Sequence, residues 1–153
     1  MTDDLPKQGR IAGIDYGTVR IGVAVTDESQ ILASPFENYT RHEAKSEAQW
    51  FRQFVDDERI VGFVVGLPVH NSGEESRMSL EARQFGKWLE ETTDKPVCFY
   101  DERFTSIEAD QILHVGGLTK KKRKKRLDMI AAQVMLASFI ARNASTETGS
   151  IGD

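Results

Sequence analysis

The sequence predicts an α/β fold in which one mixed sheet carries helices on both faces. Three observations lead there. The first forty residues hold apolar stretches broken by Gly and Pro, the pattern of strands joined by tight turns. Helix-like and strand-like stretches alternate after that point. The run Ile60 to Leu67 is continuously apolar, as a strand covered on both faces reads.

The chain opens with a polar lead-in, residues 1–9, that contains Pro6 and is expected to be flexible. Arg10 to Asp27 then reads as strand, tight turn and strand. Ile31 to Thr40 is a candidate third strand, with Pro35 placing it near an edge or a bend. Short turns join these three strands, so they should be antiparallel neighbours. Ala44, Ala48, Phe51 and Val55 recur at helical spacing and predict a helix over residues 43–57. After the strand Ile60 to Leu67 comes a loop containing Pro68, His70, Asn71 and Gly73. A second helix is marked by Met78, Ala82, Phe85 and Leu89. Pro96 to Tyr100 is a short strand that runs into Asp101 and Glu102. Thr105 to Glu108 has capping-box spacing, which starts a short helix that Gly116 and Gly117 end. The last helix is expected from about Lys120 to Arg142. Residues 10–142 thus form one domain, and residues 143–153 a small, polar, disordered tail. The crossovers after the antiparallel strands bring further strands into the same sheet.

A chain of 153 residues suits one domain with a real core. No run is long enough to span a membrane, and the start is too polar for a signal peptide. Cys98 is the single cysteine, lies in an apolar strand pattern and reads as a small core residue. A reducing, cytoplasmic setting fits. Residues 120–126 are seven consecutive Lys and Arg, so the rest of the chain carries −11 against a total of −4. An acidic body with one dense cationic stripe has a strongly polar field. Such a stripe would hold a phosphate backbone through salt-sensitive contacts that do not read sequence.

Three acids stand at the ends of separate elements. Asp15 ends an otherwise apolar strand between Gly13 and Gly17, where a carboxylate is costly unless paired. Asp101 and Glu102 close the last strand, and pleating should turn only one of them toward Asp15. Asp128 has Ala131, Ala132 and Met135 at helical spacing, which puts it on or beside the face that meets the sheet. Three such carboxylates suit a hard divalent cation, Mg²⁺ or Mn²⁺, bound to oxygen and water. A pair of these ions can activate water and stabilise the leaving oxygen in phosphodiester cleavage. His42, His70 and His114 are scattered, so no zinc cluster is readable.

Several motifs occur together. They are Gly13-Ile14-Asp15-Tyr16-Gly17 with Arg20 to Ala24, Gly66-Leu67-Pro68 with Gly73, Asp101 to Ser106, and Lys125 with Asp128, Ala131 and Ala132. In that order they resemble the YqgF/RuvX family, over about Arg10 to Ala141. Members are described as pre-16S ribosomal RNA nucleases and as Holliday junction resolvases. The resemblance implies an RNase H-like fold, a bacterial cytoplasmic setting and metal-dependent nuclease chemistry. It also implies that Asp15, Glu102 and Asp128 form the catalytic, metal-binding triad, with Asp101 as rival for the middle place. Arg20 and the run Lys120, Lys121, Lys122, Arg123, Lys124, Lys125 and Arg126 are the expected substrate contacts. The expected partner is pre-16S rRNA or, alternatively, branched DNA, handled by a monomer or homodimer without membrane attachment. Two other classes compete. Asp15 to Thr18 resembles the first phosphate loop of actin-like ATPases, but the chain is too short for their second lobe. A non-catalytic nucleic-acid binder would use the stripe alone and would tolerate Asp15→Asn. Neutralising residues 120–126 should weaken nucleic-acid binding for every sequence tested and flatten its salt dependence. Titrations across a salt series check this, and an unchanged slope would place the phosphate contacts elsewhere.

Overall fold

In the computed structural model the described residues are 5–68, 76–102 and 129–143. The elements follow the predicted order. They are β1 (Arg10–Asp15), β2 (Arg20–Thr26), β3 (Ala33–Thr40), α1 (Ala44–Glu58), β4 (Ile60–Leu67), α2 (Arg77–Thr93) and β5 (Val97–Asp101). A further helix, α3, covers residues 129–143. The predicted helix after Thr105, the basic run and the loop bearing His70 and Asn71 lie outside the described residues.

The five strands form one sheet in the order β3-β2-β1-β4-β5. β1 pairs antiparallel with β2, and β2 with β3. β1 pairs parallel with β4, and β4 with β5. β1 is therefore the central strand, and the chain turns back on itself between β1 and β4. Its residues alternate between two cores. Ala12 and Ile14 pack with Phe51, Phe54, Ala82, Phe85 and Leu89 from α1 and α2. Ile11 packs with Ala132, Met135, Leu136, Phe139 and Ile140 from α3 on the other face. Both faces of the sheet are covered, as the unbroken apolar run of β4 requires. Cys98 is buried in the second core, 1% exposed.

The first core is mainly aromatic. Phe51 is fully buried, and the rings of Trp50, Tyr39 and Phe85 lie 4.9, 5.7 and 5.7 Å from it. The tilted and edge-on arrangements are those aromatic quadrupoles favour. In the second core α3 comes down onto β1 at Gly13. A Cβ there would stand 2.9 Å from Cβ of Leu136 and 3.3 Å from the carbonyl oxygen of Ala132.

The third strand begins later than expected. Ile31 and Leu32 are not in β3 but in the turn before it, 70% and 68% exposed. Asp27 explains this. Its Oδ1 accepts from the amides of Ile31 at 2.8 Å and Leu32 at 3.0 Å, while Gln30 takes a left-handed φ of 56°. The turn thus uses the donors a strand would need. Pro35 behaves as its chemistry demands. β3 is an edge strand, and its register with β2 slips between Val23 and Ala24, opposite Glu37 and Pro35. The described part of the lead-in is tied to the same turn. The Gln30 side-chain amide donates to the carbonyls of Pro6 and Gly9 at 2.8 and 2.9 Å.

Gly13→Val should push α3 away from β1 and cost about 1–3 kcal/mol of stability, the usual penalty for overpacking a filled core. Chemical denaturation of both proteins measures it, and an unchanged midpoint would mean that α3 does not seat tightly.

Candidate active site

β1, β4 and β5 run parallel and end together. In register, Ile14 lies opposite Val65, and Gly66 and Leu67 lie opposite Tyr100 and Asp101. The carboxyl ends of β1, β4 and β5 thus meet where strand order reverses, the place where open α/β sheets bind ligands. Asp15 is the last residue of β1, and Glu102 follows the last residue of β5. Only β4 separates the two strands.

Gly66 of β4 makes the crossing possible. A Cβ on it would stand 3.0 Å from both Cγ and Cδ of Glu102. The bare glycine therefore leaves a seat across which the Glu102 side chain lies. From there Glu102 hydrogen-bonds the side chain of Asp15. Two carboxyl groups can share a hydrogen bond only if one carries a proton. Burial pushes the Glu102 carboxyl above its ordinary range, the hydrogen bond with Asp15 partly offsets this, and the charge of Asp101 raises it further. Asp101 is thus close enough to act electrostatically on Glu102.

The structure brings Asp15 and Glu102 together, with Asp101 beside them. Asp128, the basic run, His70 and Asn71 lie outside the described residues. Arg20 is exposed at the first position of β2, where it pairs in register with Thr40, at the same end of the sheet as Asp15. Among the described residues no three His, Cys, Asp or Glu side chains form a group able to hold a metal ion. No helix among the described residues is long and apolar enough to cross a membrane.

Two features of this end were not read from the sequence. One is Gly66 as the seat for Glu102. Its signal was a glycine within an apolar strand, which often marks a close approach. The other is Glu47, 2% exposed in the first turn of α1. It accepts from Nε and the NH2 nitrogen of Arg41 at 3.1 and 3.0 Å, and from the amide of His42 at 2.9 Å. Glu47 stands four residues before Phe51, on the apolar face of the helical spacing, and that position was its signal.

A sheet of this order, with helices on both faces, is the RNase H-like fold. RuvC of Thermus thermophilus bound to a Holliday junction superposes with a TM-score of 0.53 at 16% identity, over 88% of this chain and 96% of that one. The fowlpox virus Holliday junction resolvase gives 0.51 at 11% identity, over 87% of this chain and 99% of the other. Residues 9–142 match the family described as "RuvX: Holliday junction resolvase", and the chain belongs to that family. Relatives named "Putative pre-16S rRNA nuclease" include one from Rhodopirellula baltica, 49% identical over 90% of this chain and 80% of its own length. Another, from Koribacter versatilis, is 37% identical over 88% of each. The chain is thus a member of a nuclease family, whose chemistry is hydrolysis of phosphodiester bonds.

The raised Glu102 carboxyl has a consequence for stability. A fold that favours the protonated acid loses stability as pH rises from the ordinary Glu value, about 4.3, through the raised folded value. Gln at this position is neutral at every pH and has no such ionisation to disfavour the fold. In metal-free buffer Glu102→Gln should therefore melt above the wild type at neutral pH, with the gap closing toward pH 4. Melting curves across pH check this, and a constant gap would contradict the shift.

Proposed function

We propose that the protein is a metal-dependent endonuclease that processes the 5′ end of precursor 16S rRNA in the bacterial cytoplasm. The observation that carries this is the Asp15–Glu102 carboxyl pair, held together over Gly66 where β1, β4 and β5 end. The choice of RNA substrate is supported by the names of relatives up to 49% identical.

The donor set suits a hard cation. The pair supplies oxygen ligands only, and burial together with the charge of Asp101 disfavours the ionised Glu102, a cost that a divalent cation held there would offset. Mg²⁺ typically takes one or two protein carboxylates and keeps waters and substrate phosphates as its other ligands. Asp15 and Glu102 would supply the carboxylates, with Asp128 as the third acid. Bound there, Mg²⁺ or Mn²⁺ lowers the pKa of a coordinated water and stabilises the oxygen that leaves the phosphorus. The protein's own residues do the rest. Asp15 and Glu102 fix the position of the charge at the strand ends. The charge of Asp101 raises the Glu102 carboxyl beside it. Arg20 and residues 120–126 draw the phosphate backbone to this end of the sheet.

The alternative is the same chemistry on branched DNA, favoured by the family description and not separable from RNA cleavage by phosphate contacts alone. Precursor rRNA and a synthetic four-way junction should be offered in parallel, with Mg²⁺ or Mn²⁺, to four proteins. Wild type should cleave the RNA. Asp15→Asn and Glu102→Gln should bind it without cleaving, and Asp101→Asn should keep part of the rate. Faster cleavage of the junction would transfer the assignment to DNA. An active Asp15→Asn would remove the site. An active Glu102→Gln beside an inactive, folded Asp101→Asn would reverse the roles of the two acids.

A further inference from the structure

We propose that Arg41, fixed by the buried Glu47, is a positioning residue for the strand end that carries Asp15. The inference rests on the nuclease reading above and adds to it a residue outside the acidic cluster.

Asp15 is followed directly by the turn Tyr16 to Val19, which leads into β2. A turn at the end of a sheet has few ladder bonds of its own, and this one projects an exposed Val19, 64% accessible. Arg41 holds it at three points. Its backbone amide donates to the Val19 carbonyl at 2.9 Å. One guanidinium nitrogen donates to the Tyr16 hydroxyl at 2.9 Å and to the Gly17 carbonyl at 3.4 Å. The guanidinium also lies 5.1 Å over the Tyr16 ring and 5.4 Å over Phe85, within cation–π range. Tyr16 in turn packs against Phe85 of α2 at 5.3 Å between ring centres.

The clamp is itself held. Both carboxylate oxygens of Glu47 bind the guanidinium, and Glu47 is almost fully buried at the start of α1. This pairing raises the Arg41 pKa further, so its charge does not vary in any ordinary buffer. The two-pronged geometry needs arginine, since a lysine ammonium cannot serve Glu47 and Tyr16 from one rigid plane. A rigid line therefore runs from α1 through Glu47 and Arg41 to Tyr16 and Gly17, the residues next after Asp15. If the turn moves, Asp15 moves relative to Glu102, whose place is set independently by Gly66. Small displacements between reacting groups are costly in rate, while binding driven by charge changes little when no charge is removed.

The test uses Tyr16→Phe and Arg41→Lys on the full-length protein. Tyr16→Phe removes one hydroxyl acceptor and keeps the ring contacts with Phe85 and Arg41, so the fold survives. Arg41→Lys keeps the charge and loses the fork. Single-turnover cleavage of precursor rRNA should fall about 10- to 100-fold in both, the scale expected for misplacement by about 1 Å. RNA affinity should stay within about twofold, because neither variant removes a charge from the protein. The Tyr16→Phe melting temperature should be unchanged. A wild-type rate in Tyr16→Phe and Arg41→Lys, beside an inactive Asp15→Asn, would overturn the positioning role and leave the nuclease reading intact. A rate loss that only tracks a lowered melting temperature would also overturn it. A wild-type protein that cleaves neither RNA nor junction would overturn both.

Discussion

Two carboxyl groups in hydrogen-bond contact are an expensive thing to build into a fold. Each prefers water, and together they repel unless a proton or a cation lies between them. The Asp15–Glu102 contact exists because the backbone leaves no better choice. β1 and β5 are locked in parallel register on either side of β4, and their last residues are carried to the same edge. Gly66 removes the one side chain that would keep them apart. The rest of the structure supplies the rigidity that this contact spends.

That rigidity comes from burying β1 on both faces. Ile11, Ala12 and Ile14 are fully buried, and the strand between the two cores cannot tilt toward either without opening one of them. Packing at Gly13 brings α3 against the strand backbone itself. The sequence of α3 continues backwards directly into Asp128 and the basic residues. The same glycine seats α3 one residue before Ile14 and two before Asp15.

Much of this was legible in the sequence, and the physical reasons are specific. The unbroken apolar run of β4 announced a two-sided sheet, because no half-exposed strand can afford eight such residues. Asp15 stood out because a charge at the end of a buried strand needs a partner. What was missed involved side-chain hydrogen bonds that periodicity does not record. Ile31 and Leu32 read as strand residues until Asp27 is seen taking their amides. Glu47 occupies an apolar helical position, but its burial makes sense only with Arg41 arriving from the end of β3. Pleating alone left Asp101 and Glu102 as rivals. The seat at Gly66 explains how Glu102 reaches Asp15, and that seat involves a neighbouring strand rather than the residue's own.

The charge distribution ties the site to its substrate. Outside residues 120–126 the chain carries −11, and Asp15, Asp101 and Glu102 add their charge at the strand ends of the proposed site. A phosphate backbone approaching that edge meets the negative charge of Asp101 and of the Asp15–Glu102 pair. Screening does little at contact distances, since the Debye length at physiological salt is about 8 Å. Two devices reverse the sign. On the proposed reading, seven consecutive cations before Asp128 would supply long-range attraction for a phosphate backbone. A divalent cation held by Asp15 and Glu102 would offset the short-range repulsion and give the phosphate oxygens a ligand site. Neither device suffices by itself. Cations without the metal would hold nucleic acid beside a site that rejects it, and metal without the cations would act on a substrate that the rest of the surface repels. On this reading the acidic body would disfavour binding away from the metal and the basic run.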